Sequence, residues 1–480
     1  MSESGLKGKG EAALDGPAYT SAVRSRSGAS GRRLALVAAL LFASGCARVG
    51  MPTPPAPPSD LPPPSVDRYP ERTRPPVEPV WRARSPLPPA LPSETGDVRA
   101  LWVVRTALLH PDSARAAVRR ADEAGFNTLL VQVRGRGDAY YRSDVEAWPD
   151  AIDPALRERY DPLGTVLEEA RVRGLRVHAW VNAHLVASAF LLPRDPSHLF
   201  HRAPDLLAVP RELAPRLFSM DPRDPAYSAA LVSWSRSNQS QVEGIYTSPT
   251  DPGIREHLAA VVAELVDRYP LDGIHLDYIR FPSSDFDFSR NVLTAFREWI
   301  RESARIPRED IARTESQWPR NPMAYTEAFP QLWDEYRRLG LHQTLERVYW
   351  TVKDRRPDAL VSVAVFPDPA SARRDRLQDW EEWVRVGHAE VVAPMAYTNS
   401  GEAFRRQITR ATELAGRDRV WAGVGIYQNT FEAAVDKARA ARGLGAGGTI
   451  LFSYDWAVGP EGTRAAGGSY LGRFAREMWD

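Results

Sequence analysis

Two side chains in the segment Asp272-Gly-Ile-His-Leu-Asp-Tyr-Ile-Arg-Phe-Pro282 have the types and spacing to do chemistry. Along a strand alternate residues share a face, so His275 and Asp277 point together while Ile274, Leu276 and Tyr278 point the other way. An aspartate is seldom buried without a partner. Placed at a strand end beside a histidine, it suits proton transfer or stabilisation of developing positive charge. The competing role is structural, an ion pair with Arg134 or Arg280. Arg134 itself shares a strand face with Gln132, and an arginine in such a place needs an anion, either Asp277 or a carboxylate on a substrate.

The elements that must position these groups are legible from Val98 onward, where short β-branched runs alternate with amphipathic stretches. This is the pattern of parallel strands with crossover helices. Strands are expected at residues 99–105, 128–134, 176–182, 273–279, 360–366, 390–395, 420–426 and 449–452. Helices are expected at 113–124, 163–173, 254–269, 292–301 with 332–355, 376–386, 401–414, 431–444 and 470–478. Eight units predict a (β/α)8 TIM barrel with long insertions after strands three and four, where barrel enzymes build their clefts. The alternative, an open doubly wound sheet, lacks its Gly-rich phosphate loop after the first strand.

Several pieces, in order and spacing, resemble the glycosyl hydrolase-like family 10, which includes bacterial lipoproteins and enzymes that cleave peptidoglycan glycan. They are Arg99-Ala-Leu-Trp-Val103, Ala124-Gly-Phe-Asn127, Val131-Gln-Val-Arg134 with Gly137-Asp-Ala-Tyr-Tyr141, Tyr160-Asp-Pro-Leu163, Gly174-Leu-Arg-Val-His-Ala-Trp-Val-Asn182 and the strand-four segment. Tyr278 stands where many members carry a second aspartate. A looser likeness links Pro394-Met-Ala-Tyr397 and Gly447-Gly-Thr-Ile-Leu-Phe-Ser-Tyr-Asp455 to family 18 chitinases, although Ile279 replaces their strand-four glutamic acid. The resemblances imply a glycosidase and an amino-sugar substrate.

Glycoside cleavage commonly uses two carboxyl groups, about 5–5.5 Å apart for retention and about 6.5–9.5 Å for inversion. Asp277 is the first, as nucleophile or charge stabiliser. Asp138 is the leading second, because it lies in the family-like Gly137-Asp-Ala stretch, with Asp368 and Asp455 behind it. Trp180 and Tyr397 offer flat faces to sugar rings, Tyr278 lies beside them, and Asn182 can read hydroxyl or amide groups, with Gln132, Arg134 and His275 completing the expected substrate contacts. The nine histidines show no metal-ligand spacing, so neither a metal nor an organic cofactor is expected.

The totals narrow the rest. A net charge of +1 over 480 residues gives no reason to expect a nucleic-acid partner, and one cysteine excludes an internal disulfide framework. That cysteine, Cys46, follows Arg32-Arg33, the apolar run Leu34 to Phe42, and Ala43-Ser44-Gly45. The order is that of an export signal and resembles a bacterial lipobox. Residues 1–46 thus read as a signal peptide with Cys46 lipidated, 47–96 as a proline-rich spacer that favours extended conformation, and 97–480 as the barrel. The whole reads as a lipid-anchored envelope protein acting on polysaccharide, on the outer membrane if two membranes are present. The alternative is a tethered carbohydrate-binding protein that kept the cleft without turnover.

Overall fold

The computed structural model describes residues 97–479. The leader expected over 1–46, with Cys46, and the spacer expected over 47–96 lie outside the described residues. Eight parallel strands form one sheet: β1 (Val98–Val103), β2 (Thr128–Arg134), β3 (Arg176–Asn182), β4 (Gly273–Asp277), β5 (Leu360–Val365), β6 (Val391–Pro394), β7 (Trp421–Gly425) and β8 (Gly448–Phe452). Their order is β6-β5-β4-β3-β2-β1-β8-β7. Bridges Val392–Val420 and Met395–Gly423 join β6 to β7 and bring the two ends of the sheet together. The fold is a TIM barrel.

Both faces of these strands are covered, which explains their near-continuous apolar runs. Inside the barrel, Val98, Ala100, Trp102, Leu130, Trp180, Leu360, Val391, Ala393, Trp421 and Ile450 form one packed cluster. Small residues make room for the large ones. A Cβ on Gly423 would come within 3.1 Å of the Trp102 ring. The outward faces pack against α1 (Pro111–Glu123), α2 (Pro162–Arg173), α3 (Pro252–Arg268), α4 (Pro330–Arg355), α5 (Trp380–Arg385), α6 (Gly401–Ala415), α7 (Phe431–Gly443) and α8 (Tyr470–Met478). Asp-Pro pairs start two of them. Asp161 and Asp251 accept the backbone N–H groups of Gly164 and Gly253 while Pro162 and Pro252 supply the helical φ of the first turn.

Between β3 and α3 runs an antiparallel pair, Leu185–Ala187 with Ile245–Tyr246, and the helix Pro225–Ser237. Between β4 and α4 lie helices Arg290–Glu302, Arg308–Gln317 and Ala324–Ala328. Phe288, Phe296, Trp299, Tyr325 and Trp333, with Ala214 from the preceding segment, give these a core of their own.

Some local expectations change; the first strand, for one, ends at Val103 and not at Arg105, where a 3-10 turn over Arg105–Leu108 begins. The helix expected over 376–386 is the shorter α5, and a separate helix that was not expected, Pro369–Asp375, precedes it. Leu377 takes φ +54° between them, and the buried Gln378 side chain accepts the Phe366 N–H at 2.9 Å and donates to Ala364 O at 3.2 Å. Tying down the end of β5 outweighs helical continuity. Strand four stops at Asp277, two residues early, because Tyr278 turns to φ +52°.

Candidate active site at the barrel mouth

Asp277 ends β4 at the C-terminal rim, where barrel enzymes place their chemistry. The residue is 8% exposed. Burial is the main influence on it and pushes its pKa up to about 6, against the Tyr278 backbone N–H at 2.7 Å, the Arg280 guanidinium and the Trp180 indole, which favour the charge. The Trp180 N–H faces this region without completing a hydrogen bond of ordinary geometry. The left-handed backbone at Tyr278 is rare for a bulky residue, and strain of this kind gathers at functional sites. Here it lets Asp277 accept the N–H of the very next residue.

Asp277 is no arginine's counterion. Arg280 pairs with Glu243 at 2.7 Å, and its guanidinium lies 4.6 Å from the Tyr278 ring and 5.3 Å from the Phe366 ring. Arg134 pairs with Glu146, also at 2.7 Å, both side chains being essentially inaccessible. The reason is a register shift between Gln132 and Arg134 in the β2–β3 ladder, which breaks the strict alternation that placed Arg134 with Gln132. Arg134 thus donates to the backbone oxygens of Asn182 and Ala183, and Glu146 also meets His257 Nε2 at 2.9 Å. This expectation is corrected: Arg134 is a clamp on the end of β3. Replacing Glu146 by glutamine leaves Arg134 buried without its counterion, so unfolding should become easier by about 3–5 kcal/mol. Denaturant titration measures this; an unchanged midpoint would contradict it.

His275 is also corrected as a substrate contact. It lies fully buried beneath Asp277 on the same face. Burial pushes its pKa down to about 3, so the ring is neutral. Nε2 accepts the Trp102 indole N–H at 3.2 Å, leaving Nδ1 to donate to Ser362 Oγ at 2.9 Å. Gln132 is buried as well, and its Oε1 accepts from Arg105 Nη1 at 2.9 Å. Trp180 is 3% exposed within the lumen cluster, so it forms floor more than open platform. Asn182 sits opposite Asp277 in register. Its Nδ2 is spent on Gly135 O at 2.8 Å, while its buried Oδ1 has no partner among the described residues.

The open aromatic surface is made by half-buried Tyr278, Tyr397, Tyr427 and Phe452. Tyr397 stacks on Phe452 at 5.3 Å and meets Tyr427 edge-on at 6.0 Å. Burial and then the nearby Asp277 hold its phenol protonated, with a pKa well above the usual value. Gly425 makes this seat, since a Cβ there would lie 3.1 Å from the Tyr397 ring.

Of the carboxylates proposed to partner Asp277, Asp368 caps the helix Pro369–Asp375 through the Ser371 N–H at 2.7 Å. Asp138 accepts the Arg136 N–H at 2.8 Å, and Asp455 the Ser453 hydroxyl at 2.7 Å. None of the three is among the main influences on Asp277; Glu243 is. Glu243 was missed because it lies in the inserted segment, outside any strand end. Its side chain is 42% exposed and takes the Tyr246 hydroxyl at 2.6 Å as well as Arg280. Partial burial raises its pKa, but Arg280 and Tyr246 outweigh that and hold it below the usual carboxylate range. Gly244 gives a cue in retrospect, since a Cβ there would meet Ala187 O at 2.3 Å, so Glu243 is presented by a tightly packed backbone. Two carboxyls with opposite tendencies, one inclined to hold a proton and one to hold charge, are the pairing that acid–base chemistry at neutral pH requires.

The chain is similar to known proteins. Glycosyl hydrolase DigH of Escherichia coli (strain K12) is 25% identical over 331 residues, 63% of this chain and 63% of DigH. Glycosyl hydrolase YngK of Bacillus subtilis (strain 168) is 22% identical over 340 residues, 64% of this chain and 55% of YngK. The chain therefore spans less than two thirds of the length of either relative. The PgaB (BpsB) glycoside hydrolase domain from Bordetella bronchiseptica has the same fold, with a TM-score of 0.53 at 13% identity, over 77% of this chain and 98% of that domain. Residues 97–441, which take in Asp277, Glu243 and seven of the eight strands, match the family described as Glycosyl hydrolase-like 10, and the chain belongs to that family.

Proposed function

We propose that the protein is a glycosidase that hydrolyses cell-wall glycan or a related amino-sugar polymer, with Asp277 as proton donor and Glu243 as the charged carboxylate. The observation that carries this reading is the opposed pair itself: Asp277 pushed up to about 6 and Glu243 held low by Arg280, at the rim of a barrel in a glycosyl hydrolase-like family. Protonated Asp277 delivers its proton to the leaving-group oxygen as the glycosidic bond breaks. Glu243 then faces the sugar cation, either bonding to it or activating the water that does. The aromatic surface of Tyr278, Tyr397 and Phe452 supports ring stacking, and the neutral Tyr397 phenol can donate to an amide or hydroxyl near Asp277. Incubation with purified peptidoglycan glycan and with chitin oligomers tests the reading. New reducing ends from either are expected, and none from any glycan would favour a binding protein.

The same reading puts the protein at the cell envelope, tethered through a lipid on Cys46. Among the described residues no helix is long and apolar enough to cross a membrane. Cys46→Ser is therefore expected to release the protein from the membrane fraction. A variant that still sediments and resists salt washing would show that something other than this lipid holds it.

A further inference from the structure

The rim of the barrel holds two arginines that the mechanism above does not use. Arg105 follows β1 and Arg136 follows β2, and both are half-buried. Their positions are built rather than incidental. The Arg105 side chain lies across Gly135, where a Cβ would meet its Cδ at 2.4 Å, and Gln132 Oε1 takes both its backbone N–H at 3.3 Å and its Nη1 at 2.9 Å. The next residue is Arg136. Its backbone is pinned on both sides, by Asp138 on its N–H at 2.8 Å and by His198 Nε2 on its carbonyl at 2.9 Å. Gly137, at φ +72°, leaves room for that histidine ring at 3.1 Å. The sequence Arg134-Gly-Arg-Gly-Asp138 is thus a fixed loop that sets one guanidinium beside another.

Neither guanidinium has an ion pair within 4 Å among the described residues, whereas Arg134, Arg280 and Arg337 each do. Asp138 and Asp455 are the carboxylates that face them; Asp138 accepts the backbone N–H of Arg136 and Asp455 the Ser453 hydroxyl, so neither pairs with a guanidinium. Burial and the neighbouring Arg105 lower the Arg136 pKa, and the nearby Asp138 offsets this only in part. Arg136 also faces Tyr278, the residue that donates its N–H to Asp277.

We propose that Arg105 and Arg136 form a subsite for a carboxylate carried by the substrate, close to the bond that Asp277 protonates, so that the cleft selects an acidic glycan over a neutral one. The guanidinium fork suits a carboxylate, and a partly desolvated site strengthens the pairing. The inference rests on the glycosidase reading and deepens it by naming the substrate's charge.

The test compares an oligosaccharide of N-acetylated amino sugars bearing a carboxylate on alternate sugars with the same oligosaccharide after conversion of every carboxylate to an amide. Binding of end-labelled strands to the purified full chain is followed by fluorescence anisotropy before appreciable turnover, and reducing ends are followed afterwards. The acidic strand is expected to bind at least roughly tenfold tighter, a preference that shrinks as salt is raised. Arg105→Gln with Arg136→Gln should bring the ratio towards one, Arg136→Lys should keep part of it, and Arg410→Gln on the outer helix α6 should keep all of it. If the double variant folds poorly, the salt dependence of the native preference decides alone. Equal affinity for the two strands, or a preference that survives in a folded double variant, overturns the subsite. Reducing ends released from both strands at equal rates would remove the subsite and leave the glycosidase standing, whereas failure to bind or cleave either strand would remove both.

Discussion

Replacing Asp277 by asparagine is expected to lower glycan turnover by roughly 10²–10⁴-fold, which is about 3–5 kcal/mol of barrier, and at the same time to raise the melting temperature at neutral pH. The two effects share one cause. Burial raises the Asp277 pKa from 3.8 to about 6, so the folded protein binds this proton more tightly than the unfolded chain does. The stability linked to it is fully present below about pH 4 and is lost as pH rises through about 6. At about 1.4 kcal/mol per pH unit, the native protein carries a burden of up to about 3 kcal/mol at pH 7 that the asparagine variant does not. Asp287, also buried and pushed up to about 6, titrates in the same window and is common to both proteins, so the comparison isolates Asp277. A variant that instead loses stability would mean that Asp277 serves as a counterion, contrary to the Glu243 and Glu146 pairings.

Glu243→Gln is the second large expectation: a fall in turnover of roughly a hundredfold or more, because the sugar cation then has no fixed negative charge to face. Stability should move the other way from Asp277→Asn. The nearly buried Arg280 loses its counterion, yet Glu243 is 42% exposed, so water replaces part of the pairing and the loss should be only about 1–2 kcal/mol. Arg280 keeps its contacts with the rings of Tyr278 and Phe366. Thermal melts and rates on one preparation check both. A folded Glu243→Gln protein with native turnover would remove Glu243 from the mechanism and return attention to Asp138 and Asp455.

The barrel was legible because its signal is repeated eight times and each strand is a nearly unbroken apolar run bounded by helix-starting residues such as Asp161-Pro162 and Asp251-Pro252. Asp277 was legible for the same reason, since alternation along β4 puts it above His275 at a strand end. What escaped depended on contacts between distant segments. Arg134 follows the alternation in the sequence, but a register shift turns it to Glu146, twelve residues on and in a loop without periodicity. Glu243 is brought to the rim by a two-stranded pair whose shorter arm is two residues, too short to leave a pattern. The proton tendency of Asp277 is a further case. The residue type suggests a charged group, and only its enclosure raises its pKa. Gln132 and His275 were placed on the right face, but Arg105 takes the Gln132 side-chain oxygen, and Trp102 and Ser362 take the two His275 ring nitrogens.

The most direct measurement of whether Asp277 donates the proton compares two leaving groups. Native protein and Asp277→Asn are assayed on the glycan polymer, whose departing sugar hydroxyl needs a proton, and on a dinitrophenyl glycoside of the released sugar, whose departing phenolate does not. A loss of at least roughly a hundredfold on the polymer, together with a loss of no more than about tenfold on the aryl glycoside, is the predicted result. Equal losses on both substrates, or native turnover of the polymer by the variant, would contradict it.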